Sequence, residues 1–141
     1  MSSAPNRTDV PTIEADTRPF WDAARHGRFL LRRCGDCDAI HHYPRPFCPE
    51  CWSAEVTWFE ASGDAELYTW STVYVNDLAP FRDRLPYVAA VVTLAEGPKV
   101  MTNLIDCDGV ELSIGMALEV AFQPLTDDLM VPVFVPRARP C

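Results

Sequence analysis

One lysine, six glycines and three histidines are few for a chain of 141 residues, and each scarcity removes a class of chemistry. The glycines never gather into a loop able to cradle phosphates, and no G-x-S-x-G segment raises a nucleophilic serine. A helical His-Glu-x-x-His metal motif is also absent. His26, His41 and His42 all lie in the first third of the chain, which leaves the remainder without a histidine general base. The carboxylate pairs Asp106/Asp108 and Asp127/Asp128 fall in predicted turns, where solvation explains them. No run approaches the ~18 apolar residues of a membrane span, and the N-terminal stretch lacks the apolar core of a secretory signal. The expectation is a soluble, cytoplasmic chain without a membrane span.

What is abundant is acid. Twelve basic residues face twenty acidic ones, a formal charge of −8, which opposes binding that draws its affinity from nucleic-acid phosphates. The sign is not uniform. Between Arg18 and Arg45 lie six arginines (Arg18, Arg25, Arg28, Arg32, Arg33, Arg45) against three acids. Such a stretch can hold a small phosphorylated ligand, or can simply be a solvated arginine face.

Thirteen prolines point to stiff loops and little helix. Residues 1–16 read as a flexible leader. Residues 17–28 read as a helix, with Thr17 as cap, Pro19 in the first turn, Phe20, Trp21 and Ala24 on one side, and Gly27 as the stop. Phe29 to Leu31 form a short strand opening a metal-binding segment over residues 29–55, too poor in apolar residues to build a core of its own. Strands are predicted at 66–75, 87–94, 99–106, 117–123 and 131–135, with 56–59 as a lead-in. Glu96-Gly97-Pro98 suits a hairpin connection. Five strands in so short a stretch, over residues 56–136, favour a small β-barrel such as an OB-fold, with an open sandwich as the competing arrangement. Residues 137–141 read as an exposed tail.

Cys34-Gly35-Asp36-Cys37 and Cys48-Pro49-Glu50-Cys51 make a C-x2-C-x10-C-x2-C pattern. Two residues between cysteines let a turn aim both sulfurs at one point, and two such turns close the tetrahedral thiolate cage that Zn²⁺ prefers. One structural zinc per chain is the favoured reading; iron in a similar cage and a redox dithiol are the alternatives. A site closed by four sulfurs has no open position for catalysis. Cys107 and Cys141 stand alone as a buried small hydrophobe and a tail thiol, and His41 and His42 take surface or packing roles.

Pro19-Phe20-Trp21-Asp22, the run from Leu30 through Cys51, Leu85-Pro86-Tyr87-Val88-Ala89-Ala90-Val91-Val92 and Met101-Thr102-Asn103-Leu104-Ile105 together resemble the DUF35 family of acyl-CoA-associated proteins. The resemblance implies a mainly β chain with an N-terminal helical segment, a rubredoxin-like zinc ribbon and a five-stranded OB-fold barrel. It also implies an accessory subunit beside a thiolase-like enzyme (a lipid-transfer-type thiolase or aldolase) or a MaoC-like hydratase, helping to bind acyl-CoA. It carries over no catalytic residue.

On that footing Arg25, Arg32, Arg33 and Arg45 are candidates to hold the phosphates of CoA, since a guanidinium matches phosphate oxygens with a planar fork of donors. Phe20, Trp21, Phe47 and Trp52 are candidates to lie against the rest of the ligand or a partner. Two other classes compete. An OB-fold nucleic-acid binder would use Tyr68, Trp70 and Tyr74, which strict alternation puts on one sheet face, as stacking platforms. An independent acyl-CoA-processing enzyme would need a catalytic group not evident in the sequence.

Overall fold

Helix α1 (Arg18–Ala24) begins where Pro19 is tolerated, because the first amides of a helix have no partner inside it. Thr17 stands at the cap position, but its hydroxyl turns back to Glu14, accepting from the Glu14 amide at 3.2 Å. The helix closes as expected at Gly27, whose φ of +74° carries the chain into the left-handed region. There the Arg28 amide bonds the Ala23 carbonyl at 3.0 Å and the Gly27 amide bonds Ala24 at 3.1 Å, the paired bonds of a Schellman cap. The computed structural model describes residues 10–78 and 81–137, so residues 1–9 of the expected leader and 138–141 of the expected tail, Cys141 among them, lie outside the described residues. Within the leader, Ile13 packs against the core.

Among the described residues, eight strands follow in two sheets. β1 (Leu30–Cys34) is flanked by β2 (Ile40–His41) and β3 (Val56–Glu60) in a three-stranded antiparallel sheet. Thus β3, read from the sequence as a lead-in to the barrel, belongs to the ribbon sheet, in register Leu31↔Phe59 and Arg33↔Thr57 with β1. β4 (Asp64–Val73), β5 (Tyr87–Leu94), β6 (Lys99–Leu104), β7 (Ala117–Pro124) and β8 (Met130–Pro136) close into a barrel of order β4-β5-β6-β8-β7. That five-stranded closure is the OB-fold, and the open sandwich is ruled out. Gly63 makes the tight passage between the sheets: at φ +88°, a Cβ there would meet Val120 Cγ1 at 2.7 Å.

Strict alternation fails in β4. Leu67 pairs with Val92 and Thr69 with Val91, leaving Tyr68 as the extra residue of a β-bulge. Since strand side chains alternate, one extra residue exchanges the two faces beyond it. Trp70 therefore sits opposite buried Ala90 and packs against the core, while Tyr68 is half exposed beside Lys99 and Tyr74 lies past the strand end. The continuous aromatic stripe expected on this strand does not form, and with it goes the observation that motivated a nucleic-acid platform.

The barrel interior is apolar: Leu67, Val92, Leu94, Leu118 and Phe134 are all at most 2% exposed. The ribbon and helix join it through three rings in edge-to-face contact. Phe20 meets Phe29 at 5.9 Å, and Phe29 meets Phe134 of β8 at 6.3 Å. Helix, ribbon sheet and barrel share one apolar cluster through this chain.

Candidate metal centre

Two turns of the same form carry the four cysteines. In the first, which leaves β1, the Asp38 amide bonds the Cys34 carbonyl at 3.0 Å and the Cys34 amide bonds Ala39 at 2.9 Å. In the second, Trp52 bonds the Cys48 carbonyl and Cys48 bonds Ser53, each at 2.8 Å. Each turn also aims amides at its own leading sulfur: Asp36 and Cys37 donate to Cys34 Sγ at 3.3 and 3.4 Å, and Glu50 to Cys48 Sγ at 3.4 Å. Amide donors of this kind stabilise thiolate charge.

The turns face one another, so Cys34 and Cys51 sulfurs lie 3.5 Å apart, those of Cys37 and Cys48 lie 3.6 Å apart, and all four are within 4.8 Å. A tetrahedron with Zn–S bonds of about 2.3 Å separates its sulfurs by about 3.8 Å, close to this spacing, whereas a disulfide would need about 2.05 Å. The Cys37 amide, chiefly, holds the Cys34 thiol down to about 7 against its burial. Cys37 is drawn down by the Ala39 amide, yet Cys51, burial, Cys48 and Cys34 together push it up to about 12. Four sulfurs this close cannot all ionise without a cation among them, and a divalent ion with soft-donor preference answers that need. These four cysteines are positioned to bind one metal ion, and theirs is the cluster of such ligands found among the described residues.

The histidines between the turns pack. His41 is buried, and His42 packs in tilted or edge-on contact with Phe20, Phe29 and Tyr43, with ring centroids 5.5 to 5.7 Å away. Burial, and secondarily His41, pushes the His42 imidazole down to about 4.

The arginines named from sequence do not form one cradle. Arg32 lies 4.3 Å over the Trp58 ring, its register partner across β1 and β3, and donates to the Arg45 carbonyl at 3.2 Å and to Val56 at 2.9 Å. Arg33, the next residue on the strand, points to the opposite face and covers Phe59 at 4.8 Å. Arg25, beyond α1, and Arg45 are exposed. Phe20 and Trp21 have little surface left to offer a ligand, at 1% and 6% exposed, with the Trp21 indole N–H donating to the Tyr43 hydroxyl at 3.1 Å. Phe47 and Trp52 differ: they stack at 5.1 Å and 14° with Trp52 73% exposed. Trp58 and Tyr43, the partners that fix Arg32 and Trp21, were not singled out from the sequence, because only strand register and the path of the ribbon bring them close. Cys107 is half-buried, and burial, followed by Asp108, raises its thiol.

A four-cysteine ribbon fused through an aromatic seam to a five-stranded barrel defines a zinc-ribbon OB-fold protein. A family model for the rubredoxin-like zinc ribbon domain of ChsH2 matches residues 21–57, and one for the C-terminal OB-fold domain of ChsH2 matches residues 58–123. A DUF35 domain-containing scaffold protein of Pyrococcus furiosus is 35% identical over 77% of this chain and 79% of its own length. The chain belongs to the DUF35 family. A probable enoyl-CoA hydratase alpha subunit of Thermomonospora curvata is 32% identical over 89% of this chain, which spans only 39% of that subunit's length. Among solved structures, a chain described as "Ltp2-ChsH2(DUF35) aldolase" superposes with a TM-score of 0.78 at 31% identity, covering 90% of this chain and 98% of the other. No helix among the described residues is long and apolar enough to cross a membrane.

Proposed function

We propose that the chain is a non-catalytic accessory subunit that associates with a thiolase-like enzyme, a lipid-transfer thiolase or aldolase, or with a MaoC-like hydratase, and helps hold its acyl-CoA substrate. The observation that carries this reading is the likeness to the chain described as "Ltp2-ChsH2(DUF35) aldolase", over 98% of that chain's length. The chemistry of this chain agrees. Its metal site is closed by four sulfurs and leaves no position for a substrate oxygen. When bound, zinc supplies the cross-link that the ribbon's sparse apolar content cannot. The barrel carries no histidine, and none of its carboxylates is buried. Exposed Arg25, Arg33 and Arg45 are cations available for phosphate once a partner completes the surface, whereas Arg32 is occupied by carbonyls and an indole.

The test is calorimetric titration of octanoyl-CoA into the chain alone and into its complex with a purified thiolase-like or hydratase subunit. Weak binding alone, at least about tenfold tighter in the complex, is expected. Turnover of the thioester by the isolated chain, or tight binding of single-stranded RNA with none of acyl-CoA, would contradict the reading.

A further inference from the structure

We propose that the metal-bearing tip of the ribbon is a docking surface, anchored by Trp52, for an enzyme subunit presenting an apolar pocket rimmed by lysine and arginine. This rests on the accessory role above and names the surface through which it is exercised.

The two cysteine turns supply an internal comparison. At matching positions, one residue past the second cysteine, the chain enters the left-handed region, at φ +62° for Asp38 and φ +66° for Trp52. Aspartate tolerates that conformation, but a bulky side chain there is strained relative to glycine. The fold recovers little of this, because Trp52 is 73% exposed and its ring contact is the flat stack on half-buried Phe47. Trp21, Trp58 and Trp70 are buried or half-buried against the core. Pro46, Pro49 and Ala54, close to Phe47 and Trp52 in sequence, are exposed or half-buried, so the tip presents an apolar segment with a rigid, exposed indole.

The charge around this segment selects the occupant. From residue 34 to 56 there are four acids, Asp36, Asp38, Glu50 and Glu55, all exposed, against one base, Arg45. The Asp36 carboxylate accepts from the Ser53 hydroxyl, next to Trp52, and the backbone amides of Glu55 and Glu50 donate to Ser53 Oγ at 3.1 Å and Cys48 Sγ at 3.4 Å. A phosphate or nucleic acid is repelled from such a rim. A lysine- or arginine-rimmed pocket is attracted to it, and its cations can also lie over the indole face. Tryptophan is among the residues enriched at interface hot spots, whose loss speeds dissociation, and complementary charge at a rim speeds encounter.

Trp52→Gly tests the anchor, since glycine suits the backbone conformation and should leave the melting temperature unchanged or raised. Affinity is measured against the purified thiolase-like or hydratase subunit that binds the wild-type chain. The expected result is a loss of about 30-fold or more for Trp52→Gly. Glu50→Lys with Glu55→Lys should weaken binding by about tenfold or more and flatten its salt dependence, while Glu111→Lys on the barrel side should not. Acrylamide quenching of tryptophan emission should fall when the complex forms, as the exposed indole is covered. Wild-type affinity in Trp52→Gly, or insensitivity to both ribbon charge reversals, would overturn the docking surface and leave the accessory role standing. A drop of several degrees in melting temperature for Trp52→Gly would assign the indole to the fold and likewise count against the proposal. Failure of the wild-type chain to bind either enzyme class would overturn both.

Discussion

Between residues 34 and 56 the buried side chains are Cys34, His41, Pro44 and Cys48, whereas the barrel buries Leu67, Val92, Leu94, Val100, Leu104, Leu118 and Phe134. Each large apolar side chain removed from water contributes roughly 1.5–3 kcal/mol, a contribution the barrel makes many times over and the ribbon tip scarcely at all. The tip instead spends four cysteines on one ion, whose binding energy becomes folding energy. Barrel stability therefore responds to side-chain volume, and ribbon stability to metal supply and pH. The two are joined where Phe29 touches both Phe20 and Phe134.

That seam is the place to break the comparison. Phe20→Ala removes a ring that is 1% exposed and touches Trp21, Phe29, His42 and Tyr43, and should cost about 3–5 kcal/mol in denaturant unfolding. If the metal site is held by its own ligands, the variant keeps one zinc per chain in metal analysis; loss of zinc together with stability would show that the regions are not separable.

A smaller effect comes from His42, also at the seam. Its folded value of about 4 lies below the ordinary 6.5, so as pH falls the unfolded chain takes up the proton first. The stabilisation is complete above about pH 6.5 and drains away towards pH 4, by on the order of 3 kcal/mol in all. His42→Phe should lack that component. Both proteins release metal at low pH, so the readout is the difference between their stability curves from pH 7 to 4.5. Parallel curves would show that His42 is solvated in the folded state.

The strands were largely legible because valine, threonine and leucine runs between turn residues leave few other choices. The expected 87–94 matches β5 in full, and 117–123 and 131–135 fall one residue short of β7 and β8 at their ends. The four ligands were legible because spacing alone brings two cysteines of one turn together. Hidden features depend on long-range register or a single extra residue. The bulge at Tyr68 inverts the faces of β4 beyond it, and no local pattern announces it. β3 looks like any strand until paired with β1, and that pairing places Trp58 under Arg32. Adjacent Arg32 and Arg33 read as one basic patch in sequence but face opposite sides of a strand. Phe20 and Trp21 have the composition of a contact surface, and the helix turns them inward.

The dependence of the ribbon on its ion is tested most directly by hydrogen exchange on the full chain before and after zinc chelation, with Cys48→Ser alongside. One zinc per chain is predicted at the start, and its removal should expose the amides of residues 34–56 to rapid exchange while those of β5 and β6 stay protected. The Cys48→Ser chain should lose both the zinc and the ribbon protection. A chain that carries no metal when made without chelators, or a ribbon that remains protected after chelation, would contradict the account.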